Sequence, residues 1–143
     1  MSRHPTPFRR AALGWAAGYV VMLCVVGFWP TPVDQPISGV IRWFLRGMHR
    51  TVGVPSWLDY GQLEFAANVA LFVPLGLLVG FVVGRRRAWL AALIGLGLST
   101  FIELGQWLAL PERTPSGLDV AANTLGCAIG ATIAVVVTLR GSP

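Results

Sequence analysis

Charge is scarce in this chain. Only 12% of its 143 residues are Asp, Glu, Lys or Arg, whereas a soluble domain carries about a quarter. That shortage argues against an ordinary soluble domain. Lysine is missing altogether, so all 11 basic residues are Arg. The 2 cysteines, Cys24 and Cys127, both fall inside apolar runs. Neither belongs to a Cys-x-x-Cys pair, and neither has a nearby histidine to suggest a metal site or a thiol nucleophile. They read as small buried hydrophobes. Histidine is just as rare: His4 and His49 have no partner that the sequence identifies. No metal and no cofactor is expected.

What the chain has instead is apolar length. Apolar residues make up 55% of it, and the mean hydropathy is +0.66. Four apolar runs stand out, Ala11–Trp29, Leu63–Val83, Ala88–Leu110 and Asp119–Leu139. Each is ~20 residues long, enough at ~1.5 Å per residue to cross a ~30 Å hydrocarbon core. The expectation is an all-α integral membrane protein. It is a four-transmembrane-helix bundle in a single membrane domain over residues 1–143, with no room for a separate soluble domain. The first run has the basic start of a signal peptide. Its apolar stretch is longer than a signal core, however, and Phe28-Trp29-Pro30 is a poor small-residue cleavage site, so it reads as a retained anchor.

The arginines orient the spans. Arg3, Arg9 and Arg10 precede the first run, Arg85, Arg86 and Arg87 fill the turn between the second and third, and Arg140 follows the fourth. Alternating crossings bring all of these to one side. The other side holds Arg42, Arg46, Arg50 and Arg113, diluted by Asp34, Asp59 and Glu112. The positive-inside rule then places both termini in the cytoplasm of a multi-pass membrane protein. The net charge of +5 reads as topology and headgroup contact. A nucleic-acid partner is not expected, because the basic residues are split across two faces of a membrane.

The longest loop, Pro30 to about Gln62, opens with the helix breakers Pro30, Pro32 and Pro36. Ile37–Arg50 then shows helical spacing. Arg42, Arg46 and Arg50 recur every fourth residue, while Ile41, Phe44, Leu45 and Met48 cover much of the opposite side. This predicts an amphipathic interfacial helix in the first outer loop, about residues 37–50. It is either an anchor with snorkelling Arg or a contact for anionic lipid or a phosphate-bearing substrate.

Polar residues inside apolar spans are costly and mark function by default. At about 100° per residue, Ser99, Glu103 and Gln106 fall on one narrow face of the third span, with Gly95 beside them. Asp119, Asn123, Gly126 and Gly130 share a face of the fourth. The second span carries Glu64 and Asn68 near its start, then Pro74, then Gly76, Gly80 and Gly84 at four-residue spacing. Small residues at such spacing mark close helix packing, so the polar groups should point into the bundle. Topology brings all of them to the outer end. Arg113, in the loop Leu110–Leu118, is placed to reach Glu103 or Asp119 and lessen the cost of burying a carboxylate.

At these residues the chain resembles the VanZ-like membrane protein family. Asn68-Val69-Ala70-Leu71-Phe72-Val73-Pro74-Leu75-Gly76 is similar to that family's Asn-x-x-Leu-Phe-x-Pro-Leu-Gly segment, and Glu103-Leu104-Gly105-Gln106 to its Glu-x-x-Gln. Arg113, Ser116 and Asp119-Val120-Ala121-Ala122-Asn123-Thr124-Leu125-Gly126 resemble its Arg…Ser…Asp…Asn-Thr-x-Gly ending. The resemblance covers about Glu64 to Gly130. It departs from the pattern in having one Asp before the fourth span, where relatives often have further acidic residues. It implies a bacterial cytoplasmic membrane protein with its polar cluster outside. Founding members are associated with resistance to teicoplanin, a glycopeptide that binds cell-wall precursors outside the cell.

Two functional readings and one structural reading follow. In the first, Glu64, Asn68, Glu103, Gln106, Arg113, Ser116, Asp119 and Asn123 form a binding site near the outer leaflet. Its ligand is a lipid-linked cell-wall precursor, a lipid headgroup or a lipophilic glycopeptide antibiotic. Amides suit sugar or peptide groups, and Arg113 suits phosphate or carboxylate. In the second, the protein is an intramembrane transferase or hydrolase acting on a lipid-linked substrate. Glu103 and Asp119 would then share acid and base roles, with Arg113 on developing negative charge. In the third, the cluster ties the helices together by hydrogen bonds. A transporter fits poorly, because the inner half has almost no polar lining. The sequence does not fix the oligomeric state.

Overall fold

The computed structural model describes residues 6–29, 35–53, 55, 58–110 and 116–140. Within these described residues five α-helices follow one another: α1 (Pro7–Gly27), α2 (Gln35–Thr51), α3 (Tyr60–Val83), α4 (Leu90–Ala109) and α5 (Gly117–Arg140). A single 3-10 turn, Arg85–Arg87, joins α3 to α4. Four of the helices, α1, α3, α4 and α5, are long and apolar enough to cross a membrane.

Local chemistry sets the helix ends. Thr6 caps α1, its hydroxyl accepting from the Arg9 amide at 3.4 Å, with Pro7 at the first helical position. Asp59 caps α3: its carboxylate accepts from the Gly61 amide at 2.7 Å and the Gln62 amide at 3.4 Å. The Gln62 side chain accepts from the Asp59 amide in return, at 3.1 Å. This reciprocal box starts α3 three residues before the apolar run begins. Gly84, at φ +75°, ends it. Gly84 therefore does not extend the packing ladder of Gly76 and Gly80. A Cβ there would meet nothing within 4 Å, and the residue serves as a terminator because its backbone is left-handed.

The bundle is built on α3 and α5, which make its most extensive contact. The two helices run parallel. A Cβ on Gly126 would strike the Val69 carbonyl, one on Gly130 the Val73 carbonyl, and one on Gly76 the Cys127 carbonyl. One on Gly80 would come within 2.7 Å of the Ala134 methyl. These four glycines let the helices touch backbone to backbone, where a larger residue would hold them apart. Such packing replaces hydrophobic burial as the source of cohesion in lipid.

Antiparallel to both, α4 lies on α5, where Gly95 makes room for the Cys127 side chain. α1 lies beside α3 and α4. Phe8 stacks edge-on against Phe81 at one end of the bundle, and Phe28 against Phe101 at the other. Leu23, Phe72, Leu75, Val79, Ala91, Ile102, Cys127 and Ala131 form the core. Pro74 removes the amide that would bond the Ala70 carbonyl. Just beyond that gap, the Leu71 carbonyl takes the Tyr19 hydroxyl at 2.8 Å and the Phe72 carbonyl takes the Cys127 thiol at 3.6 Å.

α2 exists as a helix over the predicted stretch, but its faces differ from the expectation. Leu45 is buried and Ile41 and Met48 are half-buried, while Phe44 is exposed. The opposite side of the Arg stripe is therefore divided between bundle contact and exposed apolar surface.

Candidate functional site

Ser99, Glu103 and Gln106 recur on α4 at spacings of four and three, so they share one face. All three are buried, with Glu103 at 9% exposure. Asn123 on α5 is buried to 8% exposure. Asn68 on α3 and Asp119 on α5 are half-buried. Antiparallel pairing of α4 with α5, and parallel pairing of α3 with α5, bring these groups to one end of the bundle. That end also holds the starts of α3 and α5 and the finish of α1. The Arg85–Arg87 turn is at the opposite end.

Among the described residues, three hydrogen-bonded pairs within this cluster bring α3, α4 and the start of α5 together. The Asn68 amide donates to the Asp119 carboxylate at 2.8 Å, joining α3 to α5. The Asn123 amide donates to the Ser99 hydroxyl at 2.8 Å, joining α5 to α4. The Ser116 backbone amide donates to the Glu103 carboxylate at 2.7 Å. Ser116 stands immediately before α5, and its hydroxyl accepts from the Asp119 amide at 3.3 Å. Glu103 thus faces the positive end of the α5 dipole, a setting that offsets part of the cost of burying a carboxylate.

Gln106 turns elsewhere. Its amide donates to the Gly27 carbonyl at 2.6 Å, which ties the end of α1 to α4. Glu64 is exposed on the first turn of α3, one turn before Asn68. Arg113 lies outside the described residues, so its expected pairing with Glu103 or Asp119 lies outside them too.

Among the described residues, one buried side-chain polar atom has no partner. Asn123 Oδ1 is buried without a hydrogen bond. A buried acceptor left bare costs about 1–3 kcal/mol. Its position beside Ser99 makes it a vacant acceptor inside a chain of polar groups drawn from α3, α4 and α5. Among the described residues, no three His, Cys, Asp or Glu side chains come together as a metal-binding group.

Three contributors lie beyond the reach of the sequence. Ser99 falls on the α4 face in the sequence but is not counted with the site, because the sequence offers it no recognisable partner. Its role depends on Asn123, which is 24 residues away. Tyr19 and the Gly27 carbonyl gave no signal at all, since their partners are a backbone carbonyl and a distant amide.

The fold and this cluster define a multi-pass, all-helical membrane protein with its polar groups gathered at one end. The VanZ/LLP1 family model matches residues 16–138, and the chain belongs to that family. No curated protein and no solved structure matches it.

Proposed function

We propose that the polar end of the bundle binds the headgroup of a lipid-linked cell-envelope precursor, or of a chemically related lipid or lipophilic glycopeptide. On this reading the site lies at the outer side of the bacterial cytoplasmic membrane, with both termini in the cytoplasm. The observation that carries the proposal is the vacant Asn123 Oδ1. Buried polar groups in native proteins are almost always paired, by protein, water or ligand. A hydroxyl or amide donor on a bound headgroup completes the site. Glu103, Ser116, Asp119, Asn68 and Ser99 supply further polar atoms at the same end of the bundle, and carboxylates and amides suit sugar and peptide groups. The position of the Arg85–Arg87 turn at the far end supports the orientation.

The test uses the full chain in detergent with three probes: a polyprenyl-diphosphate-linked sugar peptide, phosphatidylglycerol and teicoplanin. Saturable binding of at least one is expected. Glu103→Gln keeps the size and much of the hydrogen bonding, and should weaken that binding about tenfold with little change in folded yield, as for loss of a hydrogen bond to a charged group. If binding and thermal stability fall together across Asn68, Glu103, Asp119 and Asn123 variants, the cluster is only glue between helices. Turnover of the sugar peptide identifies the alternative, an intramembrane transferase or hydrolase that uses the buried Glu103 carboxylate.

A further inference from the structure

The hydrogen-bonded pairs described above join α1, α3, α4 and α5, and the surface of α2 poses a separate question. At about 100° per residue, it divides into three sectors. Ile41, Leu45 and Met48 form the first and face the bundle, with Leu45 at 7% exposure. Arg42, Arg46 and Arg50 form the second, all exposed. Val40, Trp43 and Phe44 form the third, at 65%, 70% and 57% exposure.

The Arg sector carries unbalanced charge. From Gln35 to Thr51 the helix contains no Asp or Glu. The Arg42 guanidinium sits 4.5 Å over the Tyr60 ring at the start of α3, which places α2 at the same end of the bundle as the polar cluster. Arg46 uses its Nε on the Arg42 carbonyl at 3.3 Å. Asp59, which stands immediately before α3, is taken up in capping that helix. Among the described residues, neither Arg46 nor Arg50 has a carboxylate to pair with.

A notch of about 360 Å³ opens on the border between the Arg sector and the exposed apolar sector, lined by Trp43, Arg46, Gly47 and Arg50. Gly47 makes the opening: a Cβ there would meet nothing within 4 Å. A surface with guanidinium groups on one edge and a tryptophan on the other matches the boundary where lipid phosphates meet acyl chains. Two Arg one turn apart offer paired donors to phosphate oxygens.

We infer that Arg46, Arg50, Trp43 and Gly47 form a binding notch for the phosphate of an anionic phospholipid at the membrane surface. The lipid's chains lie along Val40, Trp43 and Phe44. The spans beside α2 supply the membrane, and the charge supplies the selectivity.

The test measures binding of phosphatidylglycerol and of phosphatidylcholine to the full chain in mixed micelles, with helicity and melting recorded for each variant. The R46Q/R50Q variant should lose about 30-fold in phosphatidylglycerol affinity, the sum of two surface Arg contributions to anionic-lipid attraction. Its phosphatidylcholine affinity should stay the same. Gly47→Leu fills the notch without changing charge and should also weaken phosphatidylglycerol binding several-fold. The R46K/R50K variant keeps charge and folding but loses the planar fork, so it too should bind more weakly. Three results overturn the inference. One is R46Q/R50Q, or R46K/R50K should the glutamines fail to fold, binding phosphatidylglycerol like the parent. The second is an unchanged Gly47→Leu, which would reduce the effect to diffuse charge. The third is complete displacement of the lipid by inorganic phosphate, which would make free phosphate the ligand.

Discussion

The Asn123 side chain donates to the Ser99 hydroxyl at 2.8 Å across the α4–α5 seam, while the oxygen of the same amide is buried and unpartnered. Half of this amide holds two helices together and half is left unused. The pair therefore separates what the cluster does for folding from what it does for a ligand.

Ser99→Ala removes the acceptor and leaves the Asn123 donor bare. It should destabilise the bundle by about 1–3 kcal/mol, the cost of a buried unsatisfied polar group. Adding Asn123→Ala removes that donor, so the double variant should lose less than the two single variants summed. Thermal or denaturant unfolding in detergent reads the difference, and strict additivity would show that the two side chains do not interact.

Gly126→Leu and Gly130→Leu should abolish correct assembly. Each places a side chain where the Val69 or Val73 carbonyl of α3 already lies. Gly97→Leu is the control, because that glycine is exposed and nothing lies within 4 Å of its added Cβ. Folded yield by size-exclusion chromatography should fall sharply for the first two and hold for the third.

Gln106→Leu and Tyr19→Phe each delete a tie between α1 and the rest. Interhelical hydrogen bonds in membrane proteins contribute ~0.6 kcal/mol on average and up to ~1.7 kcal/mol. Each variant should lose stability in that range. Their effects should add, because the two bonds share no partner.

Topology is checked by impermeant maleimide labelling after Cys24 and Cys127 are replaced by alanine. Thr51→Cys, at the end of α2, should react in intact cells. Arg86→Cys, in the turn between α3 and α4, should react only after permeabilisation. The reverse pattern would put the polar cluster on the cytoplasmic face.

Much of the architecture was legible in the sequence because bilayer thickness imposes one length and helices impose one period. The four spans and the packing glycines on α3 and α5 followed from those constraints. So did the shared faces of Glu103 with Gln106 and of Asp119 with Asn123. Gly84 was misread within the ladder, since spacing alone cannot distinguish a packing glycine from one that ends a helix. The partner of Gln106 was invisible because an acceptor on the backbone leaves no mark in the amino-acid order. The α2 faces were half legible: Leu45 and Phe44 are alike in hydropathy, and only the neighbouring α3 decides which of them is covered.

The two ties of α1 each join a side chain to a main-chain carbonyl, Tyr19 to Leu71 and Gln106 to Gly27. Every residue type carries a main-chain carbonyl. Replacing Leu71 or Gly27 therefore leaves the acceptor chemically in place, whatever the replacement does to its surroundings. Each bond can be deleted from its donor side only. In a saturation scan, hydrogen-bond loss between α1 and its neighbours should concentrate at Tyr19 and Gln106, while damage at Gly27 should scale with side-chain bulk against Ile102. The same attachment thus leaves two unlike mutational signatures, one chemical and one steric.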